Sequence, residues 1–319
     1  MSVVTIDLYH DVVSYETYPN DSLKSCILGS ENVIQTRYGK LIPQYNVISN
    51  GQRQKKYRSS ISFYKNGEIK NVALEMQTPI KTSLGIFPAE LVAFYESGEL
   101  KRVFPLNGRI DGFWSEEDEG KLCESFDFNL PAASFTAKII GIYFYENGAV
   151  KSITLWPGEE IEVIIKGQTY KVRNGISFYE DGKIKSIEPA VQTLVTTSIG
   201  KILAFNKDAV GIHGDTNSLV FSKEGEIVEV TTTRSGVKVE MQDQEKTQQF
   251  EPRLVDSIIE FDKKTILPLS IKIEKDKVVF KDLQIRTILK KDMKFSTYIS
   301  MIDQGFSCSD CSTCNACKN

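Results

Sequence analysis

Phe144-Tyr145-Glu146-Asn147-Gly148-Ala149-Val150-Lys151 is one copy of the phrase that decides the fold. It returns as Phe63-Tyr64-Lys65-Asn66-Gly67-Glu68-Ile69-Lys70, as Phe94-Tyr95-Glu96-Ser97-Gly98-Glu99-Leu100-Lys101 and as Phe178-Tyr179-Glu180-Asp181-Gly182-Lys183-Ile184-Lys185. Looser copies are Tyr18-Pro19-Asn20-Asp21-Ser22-Leu23-Lys24 and Phe221-Ser222-Lys223-Glu224-Gly225-Glu226-Ile227. Asn-Gly, Asp-Gly and Ser-Gly supply a positive-φ position without steric cost. Aromatic and β-branched neighbours suit a pleated surface and pair across strands. Period-two alternation around a central glycine argues against helix. The phrase predicts a β-hairpin with its lysine on the solvent face. The tyrosines Tyr64, Tyr95, Tyr145 and Tyr179 then form either a ladder that joins hairpins or a surface that takes a ligand or a strand.

A second hairpin phrase lies between these copies: Thr82-Ser83-Leu84-Gly85, Thr197-Ser198-Ile199-Gly200 and the looser Thr36-Arg37-Tyr38-Gly39. The stretch Ile61 to Ala89 aligns without a gap on Ile176 to Ala204, which indicates an internal duplication. The expected fold is all-β: a duplicated array of antiparallel hairpins, a short strand-rich C-terminal region and a cysteine-rich tail. The segments read as a first half over 1–115, an acidic connector over 116–137 and a second half over 138–249. A basic strand-rich region covers 250–300, and the tail covers 301–319. Ser115 and Asp118 have the spacing of a capping box, so a short acidic helix or turn is expected there, then a strand over Phe126 to Phe128. The acids from Glu116 to Glu119 read as a solvated face. Leu23 to Leu28 reads as a strand, and Arg234 to Gln249 as a loop-rich crossover. Ile258 to Phe261, Leu267 to Ile273 and Lys277 to Phe280 read as strands, and Leu283 to Lys290 as a strand or a short helix.

The hairpin copies resemble MORN-type repeats, in particular the variant class found in bacterial proteins often labelled as antitoxin components. The resemblance covers about residues 14–230 and rests on Tyr-x-x-Gly-x-aliphatic-Lys. It implies an antiparallel β array used as a scaffold or binding surface, with no shared catalytic residues. The units here are longer than the short form of that repeat and mostly lack its second glycine, and the cysteine tail is no part of its pattern.

The 319 residues carry a net charge of −3, which gives no general case for nucleic-acid binding. Charge is uneven: residues 262–294 hold ten lysines and arginines against five acids. That stretch reads as a solvated edge strand with protective lysines, as a counter-charge for the tail, or as a dock for an acidic partner. The opening Met1-Ser-Val-Val-Thr-Ile-Asp has no signal-peptide pattern, and no apolar run is long enough to span a membrane. A cytoplasmic, reducing compartment is the expectation, with no membrane partner.

Four of the six cysteines fall at Cys308, Cys311, Cys314 and Cys317. Thiolates at this spacing can converge on a thiophilic metal centre. The first three match the CxxCxxC run of ferredoxin-like loops, which implies a 4Fe–4S cluster; Cys317 either closes the same cluster or is left free. The fourth cysteine comes one residue early for that family and is followed by Lys318 rather than proline. Zinc is the main alternative, and thiol redox chemistry, metal transfer and post-translational modification of the tail are others. Cys26 and Cys123 read as buried small hydrophobes. Outside the tail, His213 and Asp215 sit in a glycine-flanked polar segment that reads as a turn, or alternatively as an acid–base or small-molecule site. No catalytic residues are assigned. The expected function is a non-enzymatic scaffold whose tail holds a metal centre for electron transfer, metal delivery or sensing with a protein partner.

Overall fold

The computed structural model describes residues 6–45, 53, 59–108, 114–206, 209, 214–241, 247–257, 263–291 and 293–303. Their regular structure is almost all antiparallel β-strand, with one α-helix and two short 3-10 helices among the described residues. No helix among the described residues is long and apolar enough to cross a membrane. The chain divides into two compact units, the first over 1–190, 209–217 and 221–226, the second over 191–208, 218–220 and 227–319.

In the first unit the strands are β1 (Val12–Thr17), β2 (Leu23–Leu28), β3 (Ile34–Thr36), β4 (Gly39–Leu41), β5 (Ile61–Phe63), β6 (Ile69–Thr82), β7 (Gly85–Phe94) and β8 (Leu100–Phe104). Helix α1 (Glu116–Leu122) follows, then β9 (Ser125–Leu130), β10 (Ala133–Phe144), β11 (Val150–Leu155), β12 (Glu160–Ile165), β13 (Gln168–Phe178) and β14 (Ile184–Pro189). The pairing is a meander: β1–β2–β5–β6–β7–β8–β10–β11–β13–β14. The hairpin β3–β4 and the outer arms β6–β7, β9–β10 and β12–β13 extend from it.

One local geometry repeats along the meander. Phe63, Phe94, Phe144 and Phe178 face Ile69, Leu100, Val150 and Ile184 across their turns, and a register shift directly precedes each phenylalanine. All four phenylalanines are buried. The tyrosine that follows closes the turn with its own N–H, as in Tyr64 N to Glu68 O at 2.7 Å, and accepts from the glycine N–H. The two looser copies close in the same way, through Tyr18 N to Ser22 O at 2.8 Å and Ser222 N to Glu226 O at 2.7 Å. The second phrase is equally regular. Thr36, Thr82 and Thr197 each donate a hydroxyl to the glycine carbonyl three residues on and accept the N–H two residues on. The gapless alignment holds in register too: Thr78 faces Ala89 and Thr82 faces Gly85, as Thr193 faces Ala204 and Thr197 faces Gly200.

Helix α1 begins as the spacing predicts. The Ser115 hydroxyl accepts from the Asp118 N–H at 3.1 Å, and the Asp118 carboxylate accepts from the Ser115 N–H at 3.2 Å.

The second unit contains β15 (Thr193–Thr197), β16 (Gly200–Ala204), the first two residues of β17 (Leu219–Phe221), β18 (Ile227–Thr232), β19 (Ser235–Met241), β20 (Thr247–Phe250), β21 (Arg253–Asp256), β22 (Lys264–Leu267), β23 (Leu269–Ile273), β24 (Lys277–Lys281), β25 (Ile285–Leu289) and β26 (Met293–Ile299). One sheet runs β18–β23–β24–β25, a second places β19 between β20 and β26, and β15–β16 and β21–β22 are separate hairpins. Phe250 and Phe280 stack in its core at 3.9 Å.

Two expectations change here, and one open alternative is decided. Arg234 to Gln249 is not a loop-rich crossover, because Ser235–Met241 is a central strand whose Val237 and Val239 are buried. Leu267 to Ile273 is interrupted at Pro268, which separates β22 from β23. Leu283 to Lys290 resolves as strand β25. The expected strand over Ile258 to Phe261 lies outside the described residues.

Candidate functional site

The recurring tyrosines are half-buried and join successive copies. Tyr18 donates its hydroxyl to the Phe63 carbonyl at 2.9 Å, Tyr64 to Phe94 at 2.8 Å and Tyr95 to Phe144 at 2.7 Å. Tyr145 donates to Phe178 at 2.9 Å and Tyr179 to Phe221 at 2.7 Å. Each tyrosine therefore closes its own turn through its backbone and holds the next copy through its side chain. The ladder stops where Ser222 stands in the tyrosine position. Such a bond contributes about 0.5–1.5 kcal/mol net.

The lysine that ends each phrase lies over the tyrosine of the same copy. Lys70 is 5.7 Å from the Tyr64 ring, Lys101 5.2 Å from Tyr95, Lys151 5.7 Å from Tyr145 and Lys185 5.9 Å from Tyr179. The phrase thus couples a cation to a ring face. Burial raises the pKa of Tyr64, Tyr145 and Tyr179. Tyr95 is raised by burial and then by its contact with Tyr143. Tyr143 is itself held between Arg102 and Lys151, at 4.3 and 4.2 Å. Burial pushes its phenol up, but the hydrogen bonds with Tyr95 and Lys151 outweigh that and its pKa is lowered.

A second layer of contacts covers the glycine turns. The tip of β3–β4 lies on the turn after Phe94: Tyr38 donates to Glu99 at 2.7 Å and accepts from the Leu100 N–H at 2.9 Å, while Arg37 pairs with Glu99. The tip of β6–β7 reaches the turn after Phe144, where Ser83 donates to the Gly148 carbonyl at 2.7 Å. Pro131, at the tip of β9–β10, packs so closely on Gly182 that a methyl there would stand 3.0 Å from its Cγ. Lys166, at the tip of β12–β13, pairs with Glu226. Each of these four tips skips the next glycine turn in the chain and seats on the one after it. Between the first two tips lies a cavity of about 270 Å³ with Arg37, Tyr38, Lys81, Ser83, Leu100 and Gly148 in its wall.

Glu119 departs from the solvated face expected of the acidic run. It is fully buried and accepts from Arg53 Nε and Nη2, both at 2.6 Å, and from Trp114 Nε1 at 2.8 Å. Arg53 also holds Glu90 of β7 through two bonds of 2.7 and 2.9 Å, and Glu90 accepts the Asn107 N–H at 2.9 Å. Burial opposes the Arg53 charge, yet the bonds to Glu119 and Glu90 prevail and its pKa is raised. A charged Glu90 within the apolar run Ala89-Glu90-Leu91-Val92 was the one signal for this cluster in the sequence.

Of the expected site residues, Cys308, Cys311, Cys314, Cys317 and His213 lie outside the described residues. Asp215 is described, and its carboxylate is 4.0 Å from Lys151 Nζ. Its neighbour Gly214 accepts no side chain, since a methyl there would stand 2.5 Å from the Ile153 carbonyl, and its N–H donates to Thr154 at 2.9 Å. Cys26 and Cys123 are buried, and burial pushes the Cys26 thiol up to about 11. Among the described residues no group of three or more histidines, cysteines and acids is arranged to hold a metal ion.

Comparison of the chain with family models, curated proteins and solved structures returned no match. Among the described residues the recurring tyrosines join successive copies, and the hairpin tips seat on the glycine turns.

Proposed function

We propose that this chain is a non-enzymatic β-repeat scaffold of the MORN-variant kind that carries a four-cysteine metal centre near its C-terminal end. The body supports this reading through one observation above others: the recurring positions of the phrase are engaged in contacts within and between copies. The turn tyrosine holds the next phenylalanine carbonyl, and the lysine covers the tyrosine ring. Residues used in this way build a continuous surface for a protein partner. The tail supports the metal centre through its spacing. Cys308, Cys311 and Cys314 can take three corners of a 4Fe–4S cluster and Cys317 the fourth. When bound, the cluster would supply one-electron transfer or a sensing or delivery function in a reducing cytoplasm.

The test is anaerobic purification of the full chain and of a chain ending at Gly305, with iron, sulfide and zinc analysis and a visible spectrum. Brown protein with about four iron and four sulfide per chain, lost on truncation, is the expected result. About one zinc without colour would replace the cluster by a zinc site. Protein without metal, or with a mass shift confined to the tail, would overturn the metal centre and make the tail a thiol or modification segment.

A further inference from the structure

We infer that the free edge of β25, in the second unit, is a docking site for an extended acidic segment of a partner protein, added as a further antiparallel strand. The inference names a partner chemistry for the scaffold reading above, and it does not depend on the metal centre.

The backbone decides which groups are offered. Lys290 N donates to Asp276 O at 2.8 Å and Asp282 N to Gln284 O at 3.2 Å. Hydrogen-bonded pairs alternate along an antiparallel ladder, so Ile288 and Arg286 turn their N–H and C=O groups toward β24. Ile285, Thr287 and Leu289 turn theirs away from it. Among the described residues β25 pairs with β24 alone.

The side chains of that same set share one face. Ile285, Thr287 and Leu289 stand opposite Lys281, Val279 and Lys277 of β24, and Lys272 of β23 stands opposite Val279. Ile285 is 70% exposed and Leu289 62%. The other face of this sheet is the core, with Ile271, Val278 and Phe280 buried. Lys272 and Lys277 share one acid, Glu274, at 3.1 and 3.3 Å, and Lys281 makes no ion pair among the described residues.

An edge strand kept from pairing normally carries the charge itself. Here the order is reversed. The edge strand presents isoleucine, threonine and leucine, while the lysines stand one and two strands behind it. That arrangement leaves the edge open and sets the charge where the side chains of an added strand would lie. Aliphatic residues of the incoming segment would pack on Ile285 and Leu289, and its carboxylates would reach the lysines. Backbone pairing supplies affinity and the charge supplies choice of partner.

The test uses the full chain and a short, end-blocked, fluorescein-labelled peptide of alternating glutamate and valine, followed by anisotropy at several salt concentrations. The peptide is expected to bind, with affinity falling as salt rises. Its counterpart with lysine for glutamate is expected not to bind. Thr287→Pro removes an outward N–H without breaking the bonds to β24 and should weaken binding by about tenfold or more. The double variant Lys277→Glu, Lys281→Glu leaves the strand intact and should also lose about tenfold. Far-UV circular dichroism checks both variants, and the charge variant decides if the proline variant misfolds. No binding, equal binding of the lysine peptide, or unaltered binding by the charge variant would overturn the proposal. So would capture by phosphatidylserine vesicles that Thr287→Pro leaves unchanged, which would make this face a membrane surface. None of these outcomes bears on the iron, sulfide and zinc analysis.

Discussion

The stretches Ile61 to Ala89 and Ile176 to Ala204 are two versions of one phrase, aligned without a gap, in two settings. Their threonine hairpins share every cross-strand pair from Thr78–Ala89 to Thr82–Gly85 and from Thr193–Ala204 to Thr197–Gly200. Their strands differ. In the first stretch β6 runs unbroken from Ile69 to Thr82. In the second, β14 ends at Pro189 and β15 begins at Thr193. Pro189 occupies the position of Leu74, which is buried and bridges to Pro43. Proline has no N–H to give, and a strand tends to stop where the ladder loses its donor. Beyond the hairpin, Glu90 takes part in the buried ion cluster, whereas its counterpart Phe205 bridges to Thr232. Register is therefore set by the local threonine and glycine chemistry, while strand length is set by single residues between the phrases.

The comparison can be broken most severely at the buried aromatics. Phe63→Ala and Phe178→Ala should each cost about 3–5 kcal/mol, read as parallel losses in urea midpoint, because both side chains are about equally buried. Unequal losses would mean that the two copies are not equivalent in packing. The turn glycines should separate the copies. Gly85 and Gly200 both have strongly positive φ, but a methyl at Gly85 meets open space and one at Gly200 would stand 2.7 Å from Thr297. Gly85→Ala should cost about 1 kcal/mol and Gly200→Ala about 2–3 kcal/mol, measured by thermal and chemical unfolding. Tyr64→Phe and Tyr179→Phe should be alike at about 1 kcal/mol each, since each removes one hydroxyl-to-carbonyl bond. The smallest effect is expected at Thr82→Ala and Thr197→Ala, about 0.5–1 kcal/mol, with a faster amide exchange at Leu84 and Ile199 as the local mark.

Much of the array was legible because its signals are local. A Phe-Tyr-x-x-Gly phrase contains its own turn, its own facing pair and its own lysine-on-ring contact. The capping box of Ser115 and Asp118 and the strand Leu23–Leu28 are read for the same reason. What failed to show depends on distant partners. The acceptors of the tyrosine ladder are backbone carbonyls, which leave no trace in residue type. Arg53, Glu90 and Glu119 come from three separate segments, and Glu119 looks like its exposed neighbours until the fold buries it. Strand β19 was hidden because Ser-Gly-Val-Lys-Val-Glu-Met has only two buried valines, and its central place comes from β20 and β26 on either side. The candidate site was legible as spacing alone, in cysteines that lie outside the described residues.

The seating of each hairpin tip beyond its nearest turn gives the first unit a direction. Peeling the array from β1 and β2 onward would first break the Tyr18 bond, and the next segment to leave, β3–β4, would carry its tip off the turn after Phe94. Detachment from that end thus strips cover from copies still in place. Pulling from the sixth turn would release Lys166 from Glu226 but lift no tip from any other turn. A load on this unit should meet unequal resistance at its two ends, like shingles that shed rain one way and catch the wind the other.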